Sequence, residues 1–175
     1  NEGSGTVPSP QSKEYDVAAS ILDATASLTK AGYEAFYAWN TEKDGKGTTY
    51  FAGDNYDKNE DITLYAVFFK ALKQADVTRL GVDENGVFKW DDQIYTSIAN
   101  RAFNSTHNLK KIIIPNTVKS IGFWSFFVCS TLEALEIPQS VEKIDDYFFL
   151  QCFNLKNITI DENNSKFSSE TVLML

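Results

Sequence analysis

The chain has 175 residues, 43% of them apolar and 14% aromatic, and a formal net charge of −8. That length makes one or two small domains, and 13 Phe provide for a core built largely from rings. Acids outnumber bases in both parts, 11 to 6 over residues 1–70 and 13 to 10 over residues 71–175, and an acidic chain without a basic stripe excludes nucleic acid and anionic membrane as favoured partners.

Residues 1–12 are rich in Gly, Ser and Pro and read as a tether or loop. A strand is predicted over 15–22, and a weak helical turn over 23–30 with Asp23 as its N-cap. Tyr33, Phe36 and Trp39 are the aromatic anchors of a strand, followed by a polar, turn-rich loop over 40–47. Residues 48–51 are short and β-prone, and Gly53, Asp54 and Asn55 break them. Residues 62–69 alternate with a period of two, the pattern of a half-buried strand. Residues 71–75 either finish a strand or make one helical turn. Residues 77–82 and 87–90 flank Asp83-Glu84-Asn85-Gly86, a hairpin signal. This hairpin, about 76–94, is predicted to cap a repeat array that begins at residue 95, because an array with an open end exposes its core.

Residues 95–163 repeat three times at 23 residues without a gap. Ile98, Ile121 and Ile144 coincide, as do Phe103, Phe126 and Phe149, then Leu109, Leu132 and Leu155, then Ile114, Ile137 and Ile160. A fixed period of this length signals a solenoid, in which coils that cannot bury their own apolar side share a core by stacking. Each repeat has two short apolar pieces joined by a compact loop or helical turn, and Pro115 and Pro138 end the second piece where an amide donor is missing. Cys129 and Cys152 occupy the same slot in consecutive coils and are predicted to be buried, reduced thiols acting as small hydrophobes. A disulfide would also need converging Cβ vectors, which parallel inward-pointing side chains seldom supply.

Two resemblances attach to these residues. Gly32-Tyr33, Trp39-Asn40-Thr41, Asp44-Gly45 with Gly47-Thr48, Ala52-Gly53-Asp54 and Ile62-Thr63-Leu64-Tyr65-Ala66, with Gly5-Thr6-Val7-Pro8 and Leu28-Thr29-Lys30 upstream, resemble the Listeria–Bacteroides repeat, the B-repeat of internalins. That resemblance implies a small β-grasp-like module over 1–70. The aromatic strand carries one residue more than the family spacing, with Ala38 in place of a glycine, and the family's first strand is expected to be missing. Ser120-Ile121-Gly122, Phe126, Cys129, Leu132, Leu135 and Ile137-Pro138-Gln139-Ser140-Val141 resemble the BspA-type leucine-rich repeat. The tail Asp161-Glu162-Asn163-Asn164 with Phe167-Ser168-Ser169 is similar to the segment found after such repeats. Phe148 replaces a small residue, which should swell the third coil. Thr106 replaces the cysteine, which brings the first repeat closer to a cap. The fold class expected is mainly β with short helical turns: a small β-grasp-like module, then over 71–175 a leucine-rich-repeat solenoid of three 23-residue repeats.

No catalytic, cofactor or metal site is expected. His107 is the single histidine and no nucleophile motif accompanies it, two cysteines and one histidine do not make a zinc set, and the acidic turns do not follow the calcium-loop pattern. Two sets of outward residues are candidates for an interaction surface. Lys110, Glu133 and Lys156 form one in-phase column, reading as neutralising neighbours along the strands, with Lys119 beside Glu142 repeating the idea. Phe123, Trp124 and Tyr147 are the aromatics at the variable loop positions, either recognising a ligand or buried in neighbouring coils.

The resemblances imply a non-catalytic bacterial cell-surface or secreted interaction protein of adhesion type, with an extracellular protein or glycan as partner. The alternative is a structural stalk of a larger surface protein without a ligand. No apolar run approaches the roughly 18 residues of a membrane span, and Asn1 is compatible with a removed signal peptide or with a lipid anchor upstream. Within the terminal TVLML, Val172 to Leu175 are expected either to fold back as a partial coil over Ile158 and Ile160, or to leave an open end for weak self-association of an otherwise monomeric protein.

Overall fold

The computed structural model describes residues 4–6, 8–24 and 28–168, and it falls into two compact units, residues 1–70 and 71–175. The partial coil expected over 172–175 lies outside the described residues.

The first unit is built on an antiparallel pair. Strands β1 (Ser4–Gly5), β2 (Ala19–Ser20) and β3 (Leu28–Thr29) precede β4 (Ala35–Asn40), and β5 (Thr49–Tyr50), β6 (Asn55–Tyr56) and β7 (Tyr65–Leu72) come after it. β4 pairs antiparallel with β5 and β7, β1 with β3, and β2 with β6. The extra residue in the aromatic strand is absorbed by a bulge: Phe36 opposes Phe68 and Ala38 opposes Val67, so Tyr37 has no partner between them. A bulge restores the face of the residues beyond it. Phe36 and Trp39, three apart, therefore both reach the core, with ring centroids 5.0 Å apart. Tyr37 meets Phe51 and Phe69 instead.

Asn40 organises the loop after β4. It is fully buried, its Nδ2 donates to the Gly45 and Gly47 carbonyls and to Thr49 Oγ1, and its Oδ1 accepts from the Glu42 and Gly47 amides. Those bonds are the physical content of the spacing from Trp39-Asn40-Thr41 to Gly47-Thr48. Four expectations change here, the first being that Ser4–Gly5, inside the expected tether, is a strand. Only Ala19–Ser20 of 15–22 is strand, residues 62–64 lie before β7, and Leu28–Thr29 is a strand rather than the end of a helical turn. Leu28 N still donates to Ala24 O, the one described trace of such a turn; cross-strand bonding to Ser4–Gly5 outcompetes a helix too short to nucleate.

The second unit opens with α1 (Gln74–Leu80), which corrects the expected hairpin over 77–82. Asp76 Oδ2 accepts the Lys73 amide at 3.2 Å, fixing the helix start, and Gly81 ends the helix at φ 75°. Val77 and Leu80 are three apart on that helix and pack on the solenoid core. The Asp83–Gly86 turn remains: Asp83 Oδ1 accepts the Asn85 and Val87 amides, and Val82 bridges Phe88 antiparallel. Arg79 Nη2 reaches Asp91 at 2.8 Å. Burial alone would raise the Asp91 carboxyl, but hydrogen bonds from Arg79, Tyr95 and the Gln93 amide outweigh it and hold the group below the usual carboxylate range.

The coils form two parallel stacks. β8 (Ile94–Ile98), β10 (Ser120–Ile121) and β12 (Lys143–Ile144) make one, and β9 (Lys111–Ile113), β11 (Ala134–Ile137) and β13 (Asn157–Ile160) the other. The register is 23 throughout: Ile121 opposes Ile98 and Ile144, and Leu135 opposes Ile112 and Ile158. Gly122 is required because a Cβ there would lie 2.7 Å from the Asn100 amide nitrogen. Side chains tie each coil to the one before. Ser140 Oγ donates to Val118 O at 2.7 Å, Thr131 Oγ1 to Leu109 O at 2.8 Å, and Asn164 Nδ2 to Val141 O at 3.0 Å. The turns between the stacks hold non-glycine residues at positive φ in two repeating slots: Arg101, Trp124 and Tyr147, then Ser105, Val128 and Gln151. Even Val128, whose branched side chain disfavours that region, is held there. The coil demands the conformation, since cross-coil bonds such as Phe103 N to Ser125 O and Phe126 N to Phe148 O fix the turn.

Inside, Phe103 and Phe126 stack at 5.0 Å with planes 12° apart, and Phe88 closes the column from the cap side at 4.9 Å. The third ring departs from the sequence expectation. Phe149 is only half-buried, and Phe148, in the slot of Ala102 and Ser125, is the fully buried ring of that coil. In the third coil the buried ring is thus Phe148, with Phe149 packed edge-on against it at 4.7 Å.

Candidate functional site

The outward column along the second stack is in place. Glu133 N donates to Lys110 O and Lys156 N to Glu133 O, both at 3.0 Å, and all three side chains are exposed. Among the described residues, however, no ion pair joins Lys110 to Glu133 or Glu133 to Lys156. The pairs that close are Lys111–Glu136 at 2.9 Å and Lys119–Glu142 at 3.1 Å. Exposed pairs contribute little, so Glu133→Ala is expected to shift stability by less than about 1 kcal/mol in a denaturant melt. A larger loss would mean that the column carries structural weight.

The three aromatics come together. Phe123 stacks on Trp124 at 4.7 Å, Trp124 stacks on Phe127 at 4.8 Å, and Tyr147 stands edge-on to Phe123 at 6.1 Å. Arg101 Cζ lies 4.8 Å over the Trp124 ring, near enough for a cation–π contact. Phe123 and Trp124 are half-buried and Tyr147 is 53% exposed. The Trp124 Nε1 is buried without a hydrogen-bond partner among the described residues. Phe127 and Arg101 belong to this cluster without having been anticipated. The same phasing held the signal for Arg101, which occupies the slot of Trp124 and Tyr147 one coil earlier.

Both cysteines are free thiols, and each donates to the ring-bearing residue of the preceding coil: Cys129 Sγ to Phe103 O at 3.1 Å, Cys152 Sγ to Phe126 O at 3.0 Å. Contact with the Cys152 thiol, and burial, push Cys129 well above the ordinary thiol range. Cys152 is half-buried rather than fully covered, because Phe167 is the one apolar side chain that residues 161–168 add at this end. A thiol reagent on native protein should therefore label Cys152 slowly and Cys129 only on unfolding. Rapid labelling of both would contradict the packing.

Other candidates resolve into turn chemistry. Asp44 Oδ1 accepts the Lys46 amide, Asp161 Oδ1 the Asn163 amide, and Asp145 pairs with Lys143. His107 is exposed, its Nδ1 3.4 Å from Ser130 Oγ. Among the described residues no group of three or more His, Cys, Asp or Glu is placed to hold a metal ion. A cleft of about 980 Å³ in the first unit is walled by Trp39 and Tyr56. Their polar atoms are already bonded to other residues of the cleft wall, Trp39 Nε1 to Leu22 O and Tyr56 OH to Glu60 O.

Parallel coils in a 23-residue register, with a buried ladder of Leu and Ile and a capping segment, define a leucine-rich-repeat solenoid. The family described as BspA type Leucine rich repeat region (6 copies) matches residues 89–172, and the Listeria-Bacteroides repeat domain matches residues 1–67. Residues 89–172 therefore carry BspA-type leucine-rich repeats, with a Listeria-Bacteroides repeat module ahead of them. Both matches are consistent with a repeat protein of a bacterial surface. A solved leucine-rich repeat protein from Eubacterium ventriosum is 19% identical, covering 58% of this chain and 40% of that one; its TM-score of 0.27 is too low to carry an argument. No curated protein matches the chain. No helix among the described residues is long and apolar enough to cross a membrane.

Proposed function

We propose that this chain is a non-catalytic interaction protein of adhesion type, displayed on or secreted from a bacterial cell, which uses the turn edge of its solenoid to bind an extracellular protein or glycan. The observation that carries this reading is the aromatic cluster. Rings that would strengthen the core are instead stacked on one another at the outer turns, with Tyr147 open to solvent. Aromatic residues and Arg are the side chains that most often carry binding energy at protein contacts. Binding would rest on shape and on these rings, without bond-making chemistry.

The test is binding of the full chain to immobilised extracellular-matrix and serum proteins and to a glycan array, with Tyr147→Ala and Lys110→Ala/Lys156→Ala in parallel. Retention of a partner, weakened at least about tenfold by Tyr147→Ala and little by the lysine changes, supports the reading. Equal binding by all variants would move the site elsewhere, and no binding at all would favour the stalk.

A further inference from the structure

The described residues of the second unit expose four large apolar side chains, and three of them, Tyr147, Leu150 and Phe153, belong to the segment between β12 and β13, at 53%, 43% and 82%. Trp124 lies in the equivalent turn one coil earlier, in the slot that Tyr147 fills. Exposed apolar residues scattered singly need no explanation, but a group on one edge marks a contact surface.

The charges on that edge say what covers it. Arg101, in the first coil, is exposed, and its guanidinium lies over the Trp124 ring. Asp146, in the third coil, is exposed. Neither has an ion-pair partner among the described residues, whereas the neighbouring Asp145 is held by Lys143 at 2.8 Å. The edge therefore runs from an unpaired cation, through rings and aliphatics, to an unpaired anion. A partner of one sign would satisfy one end and be repelled at the other. A second copy of the same surface, turned end for end, satisfies both: in a two-fold contact residue i meets j and j meets i, so Arg101 of each copy faces Asp146 of the other across the apolar middle.

We propose that the turn edge running from the first coil to the third is a self-complementary contact through which two copies of this chain associate antiparallel. The inference rests on the proposed function and deepens it, since copies displayed on neighbouring cells would join them. Interfaces well under about 1,200 Å² are transient, and a contact confined to one turn edge is expected to give a weak dimer.

Sedimentation equilibrium of the full chain at several concentrations tests this, with Arg101→Asp, Asp146→Arg and the double reversal. Aspartate tolerates the positive φ at position 101, and circular dichroism melts check that each variant is folded. The wild type should pass from monomer to dimer, each single reversal should weaken the dimer at least tenfold, and the double reversal should restore it. Leu150→Ser should weaken it in every background. A folded wild type that stays monomeric, or a double reversal that fails to recover, overturns the proposal. If that monomer still binds an extracellular protein or glycan through Tyr147, self-association falls while the proposed function stands. If it binds nothing, both fall.

Discussion

Phe126→Ala is expected to cost the solenoid about 3–5 kcal/mol, the usual loss for a buried ring. The ring is fully buried and stacked on Phe103 at 5.0 Å, in the middle coil of three. Phe88 and Trp90 extend the column on the cap side, and Phe148 approaches from the third coil through its carbonyl, which accepts Phe126 N. Coils are bonded at the turn as well as at the strands, so the cavity cannot close without breaking cross-coil bonds. For a unit of about 100 residues, a loss of that size lowers the melting temperature by more than about 12 °C. Calorimetry of the variant should show one transition displaced by at least that much. A shift under about 4 °C would mean that the coil collapses onto the gap or that the ring is not central.

The second large effect belongs to the first unit. Trp39→Ala removes a ring that is 7% exposed, packs on Phe36, and donates through Nε1 to Leu22 O at 2.8 Å. The lost burial alone is worth about 3–5 kcal/mol. Leaving the partly buried Leu22 carbonyl without its donor adds to that, unless water replaces it. The amides of β4 and β7 should then exchange with solvent at rates close to those of an unfolded chain. Retained protection there would place the core of this unit elsewhere.

The features legible in the sequence are those that recur. Because Ile98, Ile121 and Ile144, and Leu109, Leu132 and Leu155, return every 23 residues, the parallel register could be read residue by residue. Gly122 and the thiol slot could be read as motif positions, although their reasons, a neighbouring backbone amide and a carbonyl acceptor, emerge only in the fold. Elements that do not recur were harder. Residues 77–80 show strand-like composition, and the helix start is marked only by a local bond, Asp76 to the Lys73 amide, that composition does not reveal. The left-handed turn positions carry Arg, Trp, Tyr, Ser, Val and Gln, none of them glycine, so no residue type announces them. The extra residue in the aromatic strand was visible as a spacing anomaly, but only the pairing of Phe36 and Ala38 across Phe68 and Val67 identifies a bulge at Tyr37. At the candidate site, Phe123, Trp124 and Tyr147 could be named from their variable slots. The cluster they form depends on the turn conformation, as does the recruitment of Phe127 and Arg101. The charge column shows the converse: correct register does not oblige long exposed side chains to pair, and Lys111 reaches diagonally to Glu136.

The central claim is the in-phase stacking of the coils, because every surface assignment depends on it. A one-residue slip would turn each inward side chain outward. Nuclear Overhauser contacts between methyl groups in protein labelled at Ile, Leu and Val measure the register directly. The fold predicts contacts of Leu135 with both Ile112 and Ile158, and of Ile121 with both Ile98 and Ile144. Pairing of Leu135 or Ile121 with a neighbouring strand in a register other than 23, or absence of these contacts from the Leu135 methyls, would contradict the account.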